Sequence, residues 1–157
     1  MTANEQTITS LYNALENKNS KVVCDSYHSD IVFRDPIFGR LIGRDVCQMW
    51  KMLMDKSNGN LKIELSDVKA DDFLGSARWK ATYNLGKSNR KVVNVIRAEF
   101  RFKDGLIIKH TDDFDIWKWS KQALGITGFL FGWTGYMHRK IQEKAIQALK
   151  KFKVQNS

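Results

Sequence analysis

The sequence predicts an α+β protein: a cone-shaped, curved antiparallel sheet wrapped around N-terminal helices, with an extra C-terminal helix. Three observations carry this reading. Apolar residues in the first third recur at helical spacing. From Leu61 the period shortens to two over four successive runs. The connections between those runs are too short for crossover helices, so neighbouring strands must run antiparallel. Helices followed by a meander is the order of an α+β fold.

Taken in order, residues 5–17 read as a helix with Ile8, Leu11, Tyr12 and Leu15 on one face. Asn17 to Ser20 is a turn, and Ser20 is a suitable N-cap for a short second helix through Tyr27. Ile31 to Asp35 is a short strand stopped by Pro36, and residues 38–42 are extended again. Gly43-Arg44-Asp45 opens a third helix whose apolar face is Val46, Met49, Trp50, Leu53 and Met54. Leu61 to Val68, Gly75 to Leu85, Lys91 to Phe102 and Leu106 to Phe114 are the long strands. Asp71-Asp72, Gly86-Lys87-Ser88-Asn89 and Asp104-Gly105 are the turns between them. Ile141, Ala145, Ala148, Leu149 and Phe152 mark an amphipathic helix near the end. Helices packed into a concave sheet enclose a hydrophobic, cone-shaped pocket.

At 157 residues the chain has the length of one domain, and a hydrophobic share of 43% is enough for a substantial core. Cys24 and Cys47 lie in different elements and form no metal-spaced pair. With no signal-peptide pattern visible, a reduced cytoplasmic protein with two buried thiols is expected. The net charge of +9 is spread along the chain. Its densest part runs from His138-Arg139-Lys140 to Lys150, Lys151 and Lys153 on the last helix, where cations also favour the negative end of the dipole. No nucleic-acid motif accompanies it, and no nucleic-acid partner is expected. No apolar run spans a bilayer, because Leu124 to Met137 is broken by Gly125, Gly128, Gly132 and Gly135. The apolar residues Leu124, Ile126, Phe129, Leu130, Phe131 and Trp133 beside a basic helix suit an interfacial anchor. Covering the pocket or burial in a dimer is the simpler role, so no membrane association is expected.

Strand phase singles out the polar residues that matter. Val92, Ile96, Ala98, Phe100 and Phe102 share a face with Asn94, against Arg97, Glu99, Arg101 and Lys103. Trp79 and Tyr83 point inward with Ala77 and Ala81, whose small side chains leave room. Ile31, Phe33 and Asp35 share one phase, and Leu106, Ile108, His110, Asp112 and Phe114 another. Ionisable groups on an apolar face must be paired, hydrated or used. Each has a plainer role as well: an Asx turn for Asp35 before Pro36, a hydrogen-bonded core histidine for His110, a bulge for Asn94. His110 and Asp112 stand roughly 7 Å apart along the strand, a separation that does not by itself pair them. Their convergence from separate strands points to a site.

Tyr27-His28-Ser29-Asp30-Ile31-Val32-Phe33-Arg34-Asp35-Pro36-Ile37-Phe38-Gly39, then Gly43, resembles the early segment of nuclear transport factor 2-like domains. Asp104-Gly105-Leu106-Ile107 followed by His110-Thr111-Asp112 resembles the closing strand of their SnoaL-like branch. The resemblance covers residues 5–120. It implies one domain over residues 1–157, a deep pocket, a homodimer packed through the sheet, and residues 117–157 as an extension of the common core. It also implies roles. Asp35 matches the proton-moving Asp of ketosteroid isomerase-like members, and Tyr12 their oxyanion-binding Tyr, while the protonated Asp of that oxyanion hole falls at Ala98. Asp112 matches the general acid/base of SnoaL-like cyclases. Limonene epoxide hydrolase-like members need an Arg and an Asp two residues apart on the preceding strand, where this chain has Val92 and Asn94.

The expected function is therefore a small-molecule pocket of the SnoaL-like type. In its catalytic form it is a cofactor-free isomerase, cyclase or hydrolase in which Asp112 or Asp35 moves a proton on a hydrophobic carbonyl compound and His110 assists. Tyr12, Tyr27, Phe33, Trp50, Trp79, Tyr83, Asn94 and Phe114 form the binding wall. In its other form the same pocket binds without reaction. Neither form calls for a metal or cofactor: no phosphate-cradling glycines are present, and His28, His110 and His138 are scattered.

Overall fold

Period-two strands and short turns produce one six-stranded, curved, open sheet in the computed structural model, which describes residues 1–156. The elements are α1 (Ala3–Glu16), α2 (Ser20–Asp25), β1 (Tyr27–Asp35), β2 (Gly39–Ile42), α3 (Arg44–Lys56), β3 (Lys62–Ala70), β4 (Leu74–Leu85), β5 (Arg90–Lys103), β6 (Leu106–Asp113), α4 (Ile116–Leu124), α5 (Ile126–Phe131) and α6 (Gly135–Gln155). Strand order is β2-β1-β6-β5-β4-β3. The chain is the α+β fold its sequence predicts.

The sheet is not wholly antiparallel, however. β1 and β6 run parallel, with Phe33 opposite His110 and Arg34 opposite Thr111. Their separation by α3 and four strands provides the long connection a parallel pair requires. Local periodicity is blind to such a distant pairing. The sheet also takes up the chain earlier than expected: Ile107 N donates to the Ser26 carbonyl at 2.9 Å, so Tyr27 opens β1 instead of ending α2. Asn19, not Ser20, caps α2 by accepting from Val22 N.

α1 begins with a capping box between Thr2 and Glu5 and buries Ile8, Leu11, Tyr12 and Leu15, as their spacing predicts. In α3, Met52 is buried and Leu53 is exposed, the reverse of a simple one-face assignment. That helix is held on several sides, by β1 and β2, by α1 and α2, and by α6. In β6, Ile108 is an extra residue between the pairs Arg101–Lys109 and Phe102–Ile107. The bulge turns Ile107 fully inward and leaves Leu106 and Ile108 half-buried, correcting the phase of the strand's first half. Beyond it, His110 and Asp112 point inward as predicted.

Cys24 and Cys47 are half-buried and joined by a disulfide that links α2 to α3, with their Cα atoms 5.4 Å apart. This corrects the expectation of two free, buried thiols. The side-by-side packing of α2 and α3, not any sequence spacing, brings them together. With 23 residues of separation, replacing both by Ser will lower stability by about 3 kcal/mol. Chemical denaturation of the wild type and the double variant checks this; identical midpoints would mean that the bond adds nothing.

The C-terminal segment is built onto one end of the sheet. Trp119 and Ala123 of α4 and Ile141 of α6 bury Val92 and pack against Ile37, Tyr83 and Phe114. Lys153 Nζ donates to Asp45 Oδ1 at 2.6 Å, and Leu149 is buried, fixing α6 against α3. Leu124, Ile126, Phe129, Leu130, Phe131 and Trp133 are all exposed on this chain, so they do not cover its core.

Candidate functional site

The parallel pairing of β1 with β6 builds the site. One step beyond the registered pair Arg34–Thr111, Asp35 and Asp112 end up on adjacent strands. On the other side of Asp112, Ala98 lies directly opposite it on β5, and Ala77 lies opposite Ala98 on β4. The carboxyls are thus followed across the concave face by two side chains of minimal size. Ala98 stands where the resemblance places a second acid, so no carboxyl faces Asp112 from β5.

Behind Asp112 runs a line of hydrogen bonds. Trp50 Nε1 donates to Tyr27 Oη at 2.9 Å. Tyr27 Oη meets His110 Nδ1 at 2.8 Å, and His110 Nε2 meets Asp112 Oδ1 at 2.9 Å. An indole N–H can only donate. The Tyr27 hydroxyl accepts from it. With Asp112 as a carboxylate and the imidazole neutral, Nε2–H donates to Oδ1 and Nδ1 accepts from the Tyr27 hydroxyl, so that every link points at Asp112. The line is dry: His110 is fully buried, packed by Phe100 at 4.5 Å and by Phe33 at 5.1 Å between ring centroids. Burial, and then the negative charge of Asp112, push the Tyr27 hydroxyl well above its ordinary pKa, partly opposed by the bond from Trp50. The direct His110–Asp112 pair, left open by strand spacing alone, is present. With both ring nitrogens occupied, His110 orients Asp112 and has no donor left for a ligand.

Asp35 is differently held. Its Oδ1 accepts from Ile37 N at 2.9 Å and Phe38 N at 2.6 Å, the Asx turn that precedes β2. Burial raises its pKa to about 7; the two backbone donors oppose this, and the charge of Asp112 adds to it. Asp35 and Asp112 both line an opening of about 490 Å³, whose rim includes Arg34, Arg97, Thr111 and Asp113. A larger opening of about 810 Å³, lined by Glu5, Lys69, Asp71, Arg101 and Lys109 among others, adjoins it through Glu99 and Thr111.

The predicted wall residues divide into two groups. Tyr12, Tyr27, Phe33, Trp50 and Trp79 fill the interior around His110. Two of their polar atoms, Tyr12 Oη and Trp79 Nε1, are buried and find no hydrogen-bond partner among the described residues, and their rings are 5.0 Å apart. Burial, with the charge of Asp112 second, raises the Tyr12 hydroxyl well above its usual pKa. Tyr83 and Phe114 stand at the end closed by α4, and Asn94 is buried opposite Ala81. Tyr83 Oη accepts from Trp119 Nε1 at 2.8 Å, and burial raises its pKa to about 12. None of these eight residues lines either opening. Sequence reasoning did not single out Trp119, although it stands in the tryptophan-rich stretch directly after β6. Among the described residues, no three His, Cys, Asp or Glu side chains converge as metal ligands.

The sequence matches the SnoaL-like domain family over residues 8–110. No curated protein matches the chain. Several solved structures share its fold. An epoxide hydrolase of the limonene epoxide hydrolase type from M. tuberculosis is 21% identical, with a TM-score of 0.64 over 83% of this chain and 96% of that one. A protein from a soil-derived mobile gene cassette is 20% identical, with a TM-score of 0.68 over 76% and 95%. TerC, co-crystallised with polyporic acid, is 12% identical, with a TM-score of 0.62 over 73% and 92%. At these identities the likeness is one of fold.

Proposed function

This chain belongs to the SnoaL-like domain family, and from that premise we propose that it binds a hydrophobic carbonyl compound and moves a proton on it with Asp112. The observation that carries the reading is the one-directional donor line ending on Asp112, at an opening shared with a second carboxyl, Asp35. In the proposed reaction the Asp112 carboxylate takes a proton from the carbon next to the carbonyl. The electron pair moves onto the carbonyl oxygen to give an enolate, and protonated Asp112 returns the proton to the same or a conjugated carbon. Tyr12 Oη and Trp79 Nε1, two unpartnered buried donors, suit the developing oxyanion. In this reading Trp79, Tyr83 and Phe114 supply apolar wall once the packed interior beside Ala98 and Ala77 opens from the Asp112 side to admit the ligand. His110, Tyr27 and Trp50 position the base without touching the ligand. Asp35, with a pKa of about 7, exchanges protons near neutrality and sets the local charge.

The test is to incubate the protein in D2O with a panel of cyclic and aromatic β-dicarbonyl compounds and follow the α-proton signals by NMR. Deuterium uptake above the uncatalysed rate is expected. The non-catalytic reading draws on Ala98 opposite Asp112 and on Val92 and Asn94 where a hydrolase would carry an Arg and an Asp. Native mass spectrometry of freshly purified protein separates the two: a retained apolar ligand with no exchange on any compound favours binding alone.

A further inference from the structure

The hairpin of α4 and α5 inverts the usual arrangement of surface helices. Its glycines face inward. A Cβ on Gly128 would overlap the Ser120 carbonyl, and one on Gly132 would lie 2.7 Å from the Ser120 Cβ. Trp117 Nε1 donates to the Phe129 carbonyl at 3.2 Å, tying the two helices together. With glycine inside, the bulky residues turn outward. Ile126, Phe129, Leu130, Phe131, Trp133 and Tyr136 are each more than half exposed, Ile126 reaching 79% and Trp133 64%. A contiguous apolar surface of this kind marks an interaction site.

Charge indicates what covers it. Between Asp115 and Glu143 the chain carries Lys118, Lys121, Arg139 and Lys140 and no carboxylate. Lys121 Nζ lies 4.3 Å from the Trp117 ring centroid, and Lys140 Nζ lies 5.4 Å from that of Tyr136. A second copy of this face would oppose cation to cation. A bilayer rich in anionic lipid offers the complement to both features: acyl chains for the aromatic and aliphatic groups, and phosphates for the lysines and arginine. No described helix is long and apolar enough to cross a membrane, so the fitting mode is docking in the interface. We infer that α4, α5 and the start of α6 form a docking surface for anionic membranes. Because the opposite face of α4 packs on Tyr83 and Phe114, docking holds the acid-bearing end of the sheet close to the bilayer, where hydrophobic ligands collect.

Co-sedimentation of the full chain with vesicles tests this. Vesicles of phosphatidylcholine mixed with phosphatidylglycerol will carry the protein down at low salt, and pure phosphatidylcholine will carry far less. Lys118→Gln with Lys121→Gln, on the solvated side of a folded helix, will weaken binding by roughly tenfold or more. Phe129→Ser with Leu130→Ser will abolish it, with unchanged circular dichroism showing that both variants fold. Three results would overturn the inference: no sedimentation with the anionic vesicles, equal sedimentation with both lipids, or a dimer in analytical ultracentrifugation that Phe129→Ser with Leu130→Ser dissolves while no vesicle binds.

Discussion

Asp112→Asn will slow α-proton exchange by roughly two to four orders of magnitude and leave the fold in place. The substitution is nearly isosteric. The amide oxygen can still accept from His110 Nε2, so the line from Trp50 through Tyr27 keeps its direction and His110 keeps its acceptor. What disappears is the basic oxygen at the opening. Exchange kinetics and a thermal melt on the same sample separate chemistry from folding. An unaltered exchange rate would move the base to Asp35. A collapsed melt would show that the Asp112 charge is needed for the fold itself.

Asp35→Asn will stabilise the protein at neutral and alkaline pH. The sign follows from linkage. The folded state holds the Asp35 proton up to about pH 7, whereas the unfolded chain releases it near 3.8. Across that window the native state binds more protons, so the wild type loses stability as pH rises from about 4 to about 7. A difference of about three pK units corresponds to at most about 4 kcal/mol, less whatever water at the opening screens. Asparagine preserves the Asx turn, since its amide oxygen can accept from Ile37 and Phe38, and it carries no charge to bury. Denaturation at pH 4 and pH 8 should show the variant and wild type converging at the lower pH and the variant ahead at the higher. A variant weaker at pH 8 would mean that the Asp35 charge is stabilising where it sits. A group kept at a cost to stability fits the pattern of functional sites.

The parts of this account that lay open in the sequence are those governed by local period. The inward faces of β4 and β5, and of the second half of β6, followed from alternation, and with them Trp79, Asn94, His110 and Asp112. The stripes of α1 and most of α3 followed from helical spacing. What stayed hidden depends on contacts between distant segments. Asp35 becomes the neighbour of Asp112 only because β1 lies parallel to β6, and the Cys24–Cys47 bond only because α2 packs on α3. The bulge at Ile108 reverses the phase of the strand's first half without a glycine or proline at the bulge to announce it. The apolar segment expected to cover the pocket or be buried in a dimer differs for another reason: on this chain glycines occupy the inner side of α5 and the large residues face out.

Asp35 and Asp112 line a common opening, and the charge of Asp112 acts on the Asp35 carboxyl. Carbon-13 NMR titration of the aspartate carboxyls in the wild type and in Asp112→Asn tests this coupling most directly. An Asp35 midpoint near 7 is expected in the wild type and a lower one in the variant, because the Asp112 charge is part of what raises it. An Asp35 carboxyl that titrates in the ordinary aspartate range, and does so identically in both proteins, would contradict it.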